Sequence, residues 1–190
     1  MGALPTVAVI GAGALGRGIA HQAALAGFRT ILEDVLPRSL RRAEGEIRGG
    51  LDRAVESGKL ARDRAQDALQ RLEYASTLED AAREADVVIE AVPEEFDSKE
   101  EIFRLLDKIC RPGVILVTNV SSIRVTDIAA VTLRGPRIVG MDFRSPVHEM
   151  QEIRIIRGAE TSDEAMAAAM EIGRRMGMRT VLVREAHGTT

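Results

Sequence analysis

Short runs of aliphatic and β-branched residues alternate along the chain with longer stretches whose apolar positions recur every three or four residues. The runs are Thr6–Ile10, Arg29–Glu33, Asp86–Val92, Val114–Asn119, Arg137–Phe143, Glu152–Arg157 and Thr180–Val183. Most are apolar at nearly every position, as strands covered on both faces must be. The alternation predicts an α/β domain: a doubly wound, mostly parallel sheet with helices on both sides.

Helix signals fill the gaps between these runs. Ser98 followed by Glu101, and Thr161 followed by Glu164, read as capping boxes ahead of helices over Ile102–Ile109 and Ala165–Met176. Gly27, Gly177 and the Pro112-Gly113 pair punctuate helix ends. The stretch Arg38–Arg71 is long, charged and broken only around Ser57-Gly58, which predicts a solvent-exposed helical pair projecting from the sheet. Its alternating charges read first as a solvated face.

The first run leads straight into Gly11-Ala12-Gly13-Ala14-Leu15-Gly16 and then a helix. Gly11 permits a tight turn, Gly13 lets backbone approach a pyrophosphate, and Gly16 lets the helix pack closely on the strand. The free N–H groups of Ala14, Leu15 and Gly16 would face the anion. The second run ends in Glu33-Asp34, with Asp34 placed 18 residues after Gly16, close to the separation of about 20 usual for an acid that binds a cofactor ribose. Strand, turn, helix and acid together point to a Rossmann-type dinucleotide site. Asp34 is the favoured acid; it selects NAD over NADP, although Arg38 nearby is of the type that accommodates the extra phosphate. The competing reading is a glycine turn that serves packing alone.

Composition narrows the function classes. The 190 residues are 45% hydrophobic and 29% charged, with a net charge of −3, four Phe and one Tyr. Basic runs and stacking aromatics are lacking, so nucleic acid is not an expected partner. No apolar run approaches the roughly 20 residues of a membrane helix. A single cysteine, Cys110, and the lack of a secretory leader pattern predict a reducing, cytoplasmic setting. Cys110 falls at a helix end, where it reads as a packed hydrophobe. No spacing of His, Cys and Asp suggests a metal site.

Beyond the glycine turn, the ordered motifs Val88-Ile89-Glu90-Ala91-Val92-Pro93-Glu94 with Lys99, Thr118-Asn119-Val120-Ser121-Ser122, and Gly140-Met141-Asp142-Phe143-Arg144-Ser145-Pro146-Val147 cover almost the whole chain. In these motifs the chain resembles the NAD-binding domain of the 3-hydroxyacyl-CoA dehydrogenase family, which oxidises 3-hydroxyacyl-CoA thioesters to 3-ketoacyl-CoA in fatty-acid metabolism. The resemblance implies that Glu94, Lys99, Asn119 and Ser121 line the cofactor site, with Ser121 also near the substrate's reacting oxygen. On their residue types alone, Glu94 and Lys99 could equally be surface charges beside a helix start. Ser121 could cap a short helix toward Ile128.

The resemblance breaks at the chemistry. The family's acid–base histidine and, twelve residues later, its orienting glutamate correspond to Asp142 and Arg154, and the family's Asn of the Phe-Asn-Pro run corresponds to Ser145. A carboxylate with a reference pKa of about 3.9 has little affinity for an alcohol proton at neutral pH. An Asp142–Arg154 ion pair would keep local geometry and lose the proton transfer. His148 is the nearest histidine in sequence, while His21 and His187 match no catalytic position of the family.

Family members continue into an all-helical domain that completes the acyl-CoA site and the dimer interface. Residues 1–185 are expected to form the NAD-binding domain and 186–190 the start of the junction to that helical part. Two functions remain open at this point. One is an NAD-dependent dehydrogenase domain acting on acyl-CoA substrates, completed by a helical partner or by homo-oligomerisation. The other is a catalytically silent NAD-binding module or subunit.

Overall fold

A computed structural model describes residues 5–185; the junction expected at 186–190, and His187 within it, lie outside this range. Eight strands form one sheet in the order β3-β2-β1-β4-β5-β6-β7-β8. They are β1 (Val7–Ile10), β2 (Thr30–Glu33), β3 (Leu72–Ala75), β4 (Val87–Glu90), β5 (Ile115–Asn119), β6 (Ile138–Asp142), β7 (Glu152–Arg157) and β8 (Arg179–Arg184). All neighbouring pairs are parallel except β6 with β7. The mostly parallel, doubly wound sheet is the expected one.

Side chains alternate across the sheet, so each central strand feeds two cores. Val7 and Val9 of β1 pack on one face, while Ala8 and Ile10 pack on the other. The first face is covered by helix α1 (Ala14–Leu25) and by α7 (Asp163–Arg175); the second is covered by α4 (Leu78–Arg83), α5 (Phe96–Ile109) and α6 (Val125–Ala129). All four residues of β1 and all four of β4 are buried. That is why these segments are unbroken apolar runs and show no alternation.

Four sequence expectations are corrected. Strand β3 has no apolar run of its own: only Leu72 and Ala75 are buried and Glu73 is exposed, a composition that an edge strand tolerates and that hydrophobic patterning overlooks. Helix α5 begins at Phe96 with Glu95 as N-cap, so Ser98 lies inside its first turn. The cap of α7 is Ser162, whose hydroxyl accepts the Ala165 N–H at 3.1 Å. Thr161 instead donates its hydroxyl to the Ile138 carbonyl at 2.7 Å and accepts the Gly158 N–H at 3.0 Å, because it is buried against the sheet.

The fourth correction concerns the charged stretch. It does fold as two helices, α2 (Pro37–Glu56) and α3 (Arg62–Gln70). Their inner faces are not solvated: Ala43, Ile47, Leu51, Ala65 and Ala68 share a core with Ile19, Ala20, Ala23 and Ala24 of α1. The small residues of α1 admit the pair close against the domain, so it projects less than its charge suggests.

The glycine turn positions α1 on the sheet. Gly11 adopts φ +100°, and a Cβ on Gly16 would lie 1.8 Å from the Gly11 carbonyl oxygen. Gly16→Ala should therefore cost about 1–3 kcal/mol or more through overpacking against backbone, seen as a lower midpoint in denaturant unfolding without cofactor. An unchanged midpoint would mean that α1 can shift freely away from β1.

Candidate functional site

The carboxyl ends of β1, β4, β5 and β6 lie side by side, with Ile10 opposite Glu90, Glu90 opposite Thr118, and Asn119 opposite Met141. The segments that follow these strands therefore share one edge, the place where open α/β sheets bind ligands. Four groups of residues meet there.

The first is the glycine turn. The N-cap of α1 is Gly13, which supplies no side-chain cap, so the first-turn N–H groups face outward without an acceptor among the described residues. A Cβ on Gly13 would meet nothing within 4 Å, which leaves the approach to these donors open. Asp34 stands beside them. Its carboxylate accepts the Ala12 N–H at 3.0 Å and the Leu36 N–H at 2.9 Å. Its neighbour Glu33 is 3% exposed, and burial, then the Asp34 charge, push its carboxyl up to about 7. Of the two acids only Asp34 accepts backbone N–H groups at the turn. Arg38 is exposed in the first turn of α2.

The second group is buried. Lys99, on α5, is fully enclosed and donates to both oxygens of the equally enclosed Glu90, at 2.8 and 2.6 Å, and to the Asn119 carbonyl at 2.8 Å. Glu90 also accepts the Thr118 hydroxyl at 2.9 Å and the Val92 N–H at 2.8 Å. Lys99, which the resemblance assigns to the cofactor site, has no exposed surface at its ammonium. Glu90, the last residue of β4, is its partner and was not singled out, because an acid closing a buried strand carries no local sign of the lysine it meets.

Glu94 organises the third group. One oxygen accepts the N–H groups of Ser121, Ser122 and Ile123 at 2.8, 2.6 and 3.2 Å, and the other accepts the Ser121 hydroxyl at 2.5 Å. Against the upward pull of desolvation, these donors hold its carboxyl down at about 2. Glu94 is thus the clasp of the Ser121 loop. Ser121 does not cap α6, whose N-cap is Arg124.

The fourth group contains the altered pair. Asp142 ends β6 and faces Arg154 of the antiparallel β7 directly. Twelve residues of separation become a cross-strand contact. The buried Asp142 accepts from Arg154 through Nε at 2.9 Å and through Nη2, and from Arg144 at 2.9 Å. Burial pushes this carboxyl up, but the two guanidinium groups outweigh it and hold the group below its ordinary range. The predicted ion pair is present, with Arg144 as an unforeseen third member. Asn119 is tied to this group, since its side-chain oxygen accepts the Phe143 N–H at 2.8 Å.

Ser145 is not among the residues that bond Asp142. The turn Ser145–His148 lines a cleft of about 720 Å³ between α1 and α2, together with His21, Arg53 and Lys59. His21 and His148 both line this cleft. Burial, then the His148 charge, lower the His21 pKa. Cys110 is packed at the end of α5, and burial raises its thiol to about 11. Among the described residues no group of three or more His, Cys, Asp and Glu side chains is arranged to hold a metal, and no helix is long and apolar enough to cross a membrane.

A family model described as 3-hydroxyacyl-CoA dehydrogenase, NAD binding domain, matches residues 6–186. This chain belongs to that family. It is 40% identical over 182 residues to a probable 3-hydroxybutyryl-CoA dehydrogenase of Bacillus subtilis, a match covering 96% of this chain and 63% of the relative. It is 35% identical to the fatty acid oxidation complex subunit alpha of Acinetobacter baylyi, over 95% of this chain and 25% of that protein. The crystal structure of (S)-3-hydroxybutyryl-CoA dehydrogenase from Ralstonia eutropha superposes with a TM-score of 0.93 at 33% identity, covering 98% of this chain and 65% of that one. The chain thus spans less than two thirds of these relatives. As an NAD-binding domain it has the open, uncapped helix start and the Gly13 gap that a pyrophosphate requires.

The buried ion pair offers a test of how this NAD-binding domain is held together. Lys99→Met should cost about 3–5 kcal/mol by stranding the Glu90 charge. Adding Glu90→Leu should return most of that loss in urea unfolding. If the single variant is as stable as the parent, the pair carries no structural weight.

Proposed function

We propose that this chain is the cofactor-holding part of an NAD-dependent oxidoreductase of the 3-hydroxyacyl-CoA dehydrogenase type, acting between 3-hydroxyacyl-CoA and 3-ketoacyl-CoA, with its acid–base pair replaced by Asp142 and Arg154. The observation that carries the reading is the uncapped start of α1 beside the backbone-anchored carboxylate of Asp34. In this reading Gly11, Gly13, Ala14, Leu15 and Gly16 receive the pyrophosphate, and Asp34 binds the ribose hydroxyls and disfavours a 2′-phosphate. Asn119 and Ser121 stand at the nicotinamide end. Bound NAD supplies the hydride acceptor. Glu94 holds the Ser121 loop in register, and Lys99 supports Asn119 from below.

An acyl-CoA ligand is supported by the names of the relatives and by the cleft between α1 and α2. Its volume of about 720 Å³ is in the range of small-molecule sites. Ser145 and the cations Arg53 and Lys59 are among the residues that line it. A helical partner domain, or a second copy, would complete the site. The lone buried thiol of Cys110 supports a reducing, cytoplasmic setting.

One observation favours a second reading, a silent NAD-binding module. Asp142 is pinned by two arginines and has no capacity to take an alcohol proton near pH 7. Both readings require NAD binding, and they part at turnover.

Two outcomes are expected. Asp34→Ala should weaken NADH binding, followed by isothermal calorimetry, about 10-fold or more, the worth of a charge-assisted hydrogen bond; unchanged affinity would remove Asp34 from the ribose site. Asp142→His combined with Arg154→Glu, assayed with a helical partner domain present, should raise acetoacetyl-CoA-dependent NADH oxidation by about 10²-fold or more. No gain there points to the silent module.

A further inference from the structure

The Asp142 group holds more positive charge than it needs. Two guanidinium groups meet one carboxylate, and every N–H they direct at it goes to a single oxygen, Oδ2. Arg154 uses Nε and Nη2 and Arg144 uses Nη2, so Nη1 of Arg154 and both Nε and Nη1 of Arg144 donate to none of the described residues. The side chains are 42% and 68% exposed, while Asp142 is 4% exposed. Glu152 also attracts Arg144, but it is itself paired with Arg179. The trio therefore carries one excess positive charge at the carboxyl edge of β6, joined through Phe143 to Asn119 at 2.8 Å.

Arginine neither accepts nor releases a proton near neutral pH, but its planar fork binds oxyanions well. Fixed positive charge that is already in place when an oxyanion forms stabilises it without reorganisation. Asp142 serves here as an anchor: it immobilises one edge of each guanidinium and leaves other edges free.

We propose that Arg154, with Arg144, forms a binding site for the oxyanion of a 3-oxoacyl thioester, the enolate of a β-dicarbonyl group, where the family keeps a proton-transferring pair. This rests on the acyl-CoA reading of the ligand. Forming the enolate breaks the C2–H bond, sends that proton to water and places the electron pair across C2 and the 3-oxygen, which faces the guanidinium groups. Nothing is oxidised or reduced. The site thus favours the oxo form of the ligand over the alcohol.

The test uses acetoacetyl-CoA and the whole chain with a helical partner domain present and without NAD, reading the ultraviolet absorbance of the enolate across pH 6–9, with binding measured separately by calorimetry. The expected result is a bound ligand whose C2–H ionises at least one pH unit lower than in free solution, a tenfold gain in enolate at pH 7. Arg154→Gln should abolish the gain. Asp142→Asn, which frees both arginines from their carboxylate, should enlarge it, and NADH titration of each variant reports an intact fold. Calorimetric binding of acetoacetyl-CoA without added enolate overturns the oxyanion site and leaves the acyl-CoA reading standing, as does an Asp142→Asn variant that reduces the enolate. Loss of all binding to acetoacetyl-CoA by a chain that still binds NADH overturns the acyl-CoA reading, and the oxyanion site with it.

Discussion

The site depends on one enclosed ion pair. Lys99 reaches from α5 to the end of β4 at Glu90 and to the Asn119 carbonyl at the end of β5, and Glu90 takes in Thr118 and the Val92 N–H. Two charges without exposed surface are tolerated only when each finds several partners. Here the partners are the strand ends from which the site segments depart. The pair gains little stability compared with an apolar core of the same shape. What it does specify is position: the segments holding Glu94 and Ser121 leave from fixed points, and Glu94 then closes across them onto three backbone N–H groups.

The central strands and the glycine turn were legible because burial on both faces forces unbroken apolar runs, and because Gly11 and Gly16 have no substitute where a positive φ and a backbone contact coincide. Elements at the periphery were less so. Strand β3 buries only its ends, and helix α5 starts at a Pro93-Glu95 turn before its most helix-like signal. At the site, Asp34 and Ser121 stood out by spacing and motif. Lys99 could not be placed by sequence, since a lysine after a helix start is ordinarily solvated; burial with Glu90, nine residues earlier, is a tertiary fact. The same holds for Arg144, whose approach to Asp142 depends on the chain turning after Phe143.

Charge exchange at Asp142 and Arg154 shows how far geometry can persist while chemistry changes. Antiparallel pairing of β6 and β7 puts these positions face to face, and any oppositely charged couple there will close. Which member is the acid decides whether the couple can move a proton. With the carboxylate innermost and cations outside it, the pair holds its charges fixed, and the surface it turns outward is positive where a neutral imidazole would have been amphoteric.

The packing of α2 and α3 on the alanine face of α1 has a mechanical side. Ile47 and Leu51 share a core with the helix whose first turn opens at Gly13, which fastens the charged arm to the helix that the glycine turn begins. Ala14, in the first turn of α1, also lines the cleft between α1 and α2, so a single helix forms both a wall of that cleft and the opening of the glycine turn.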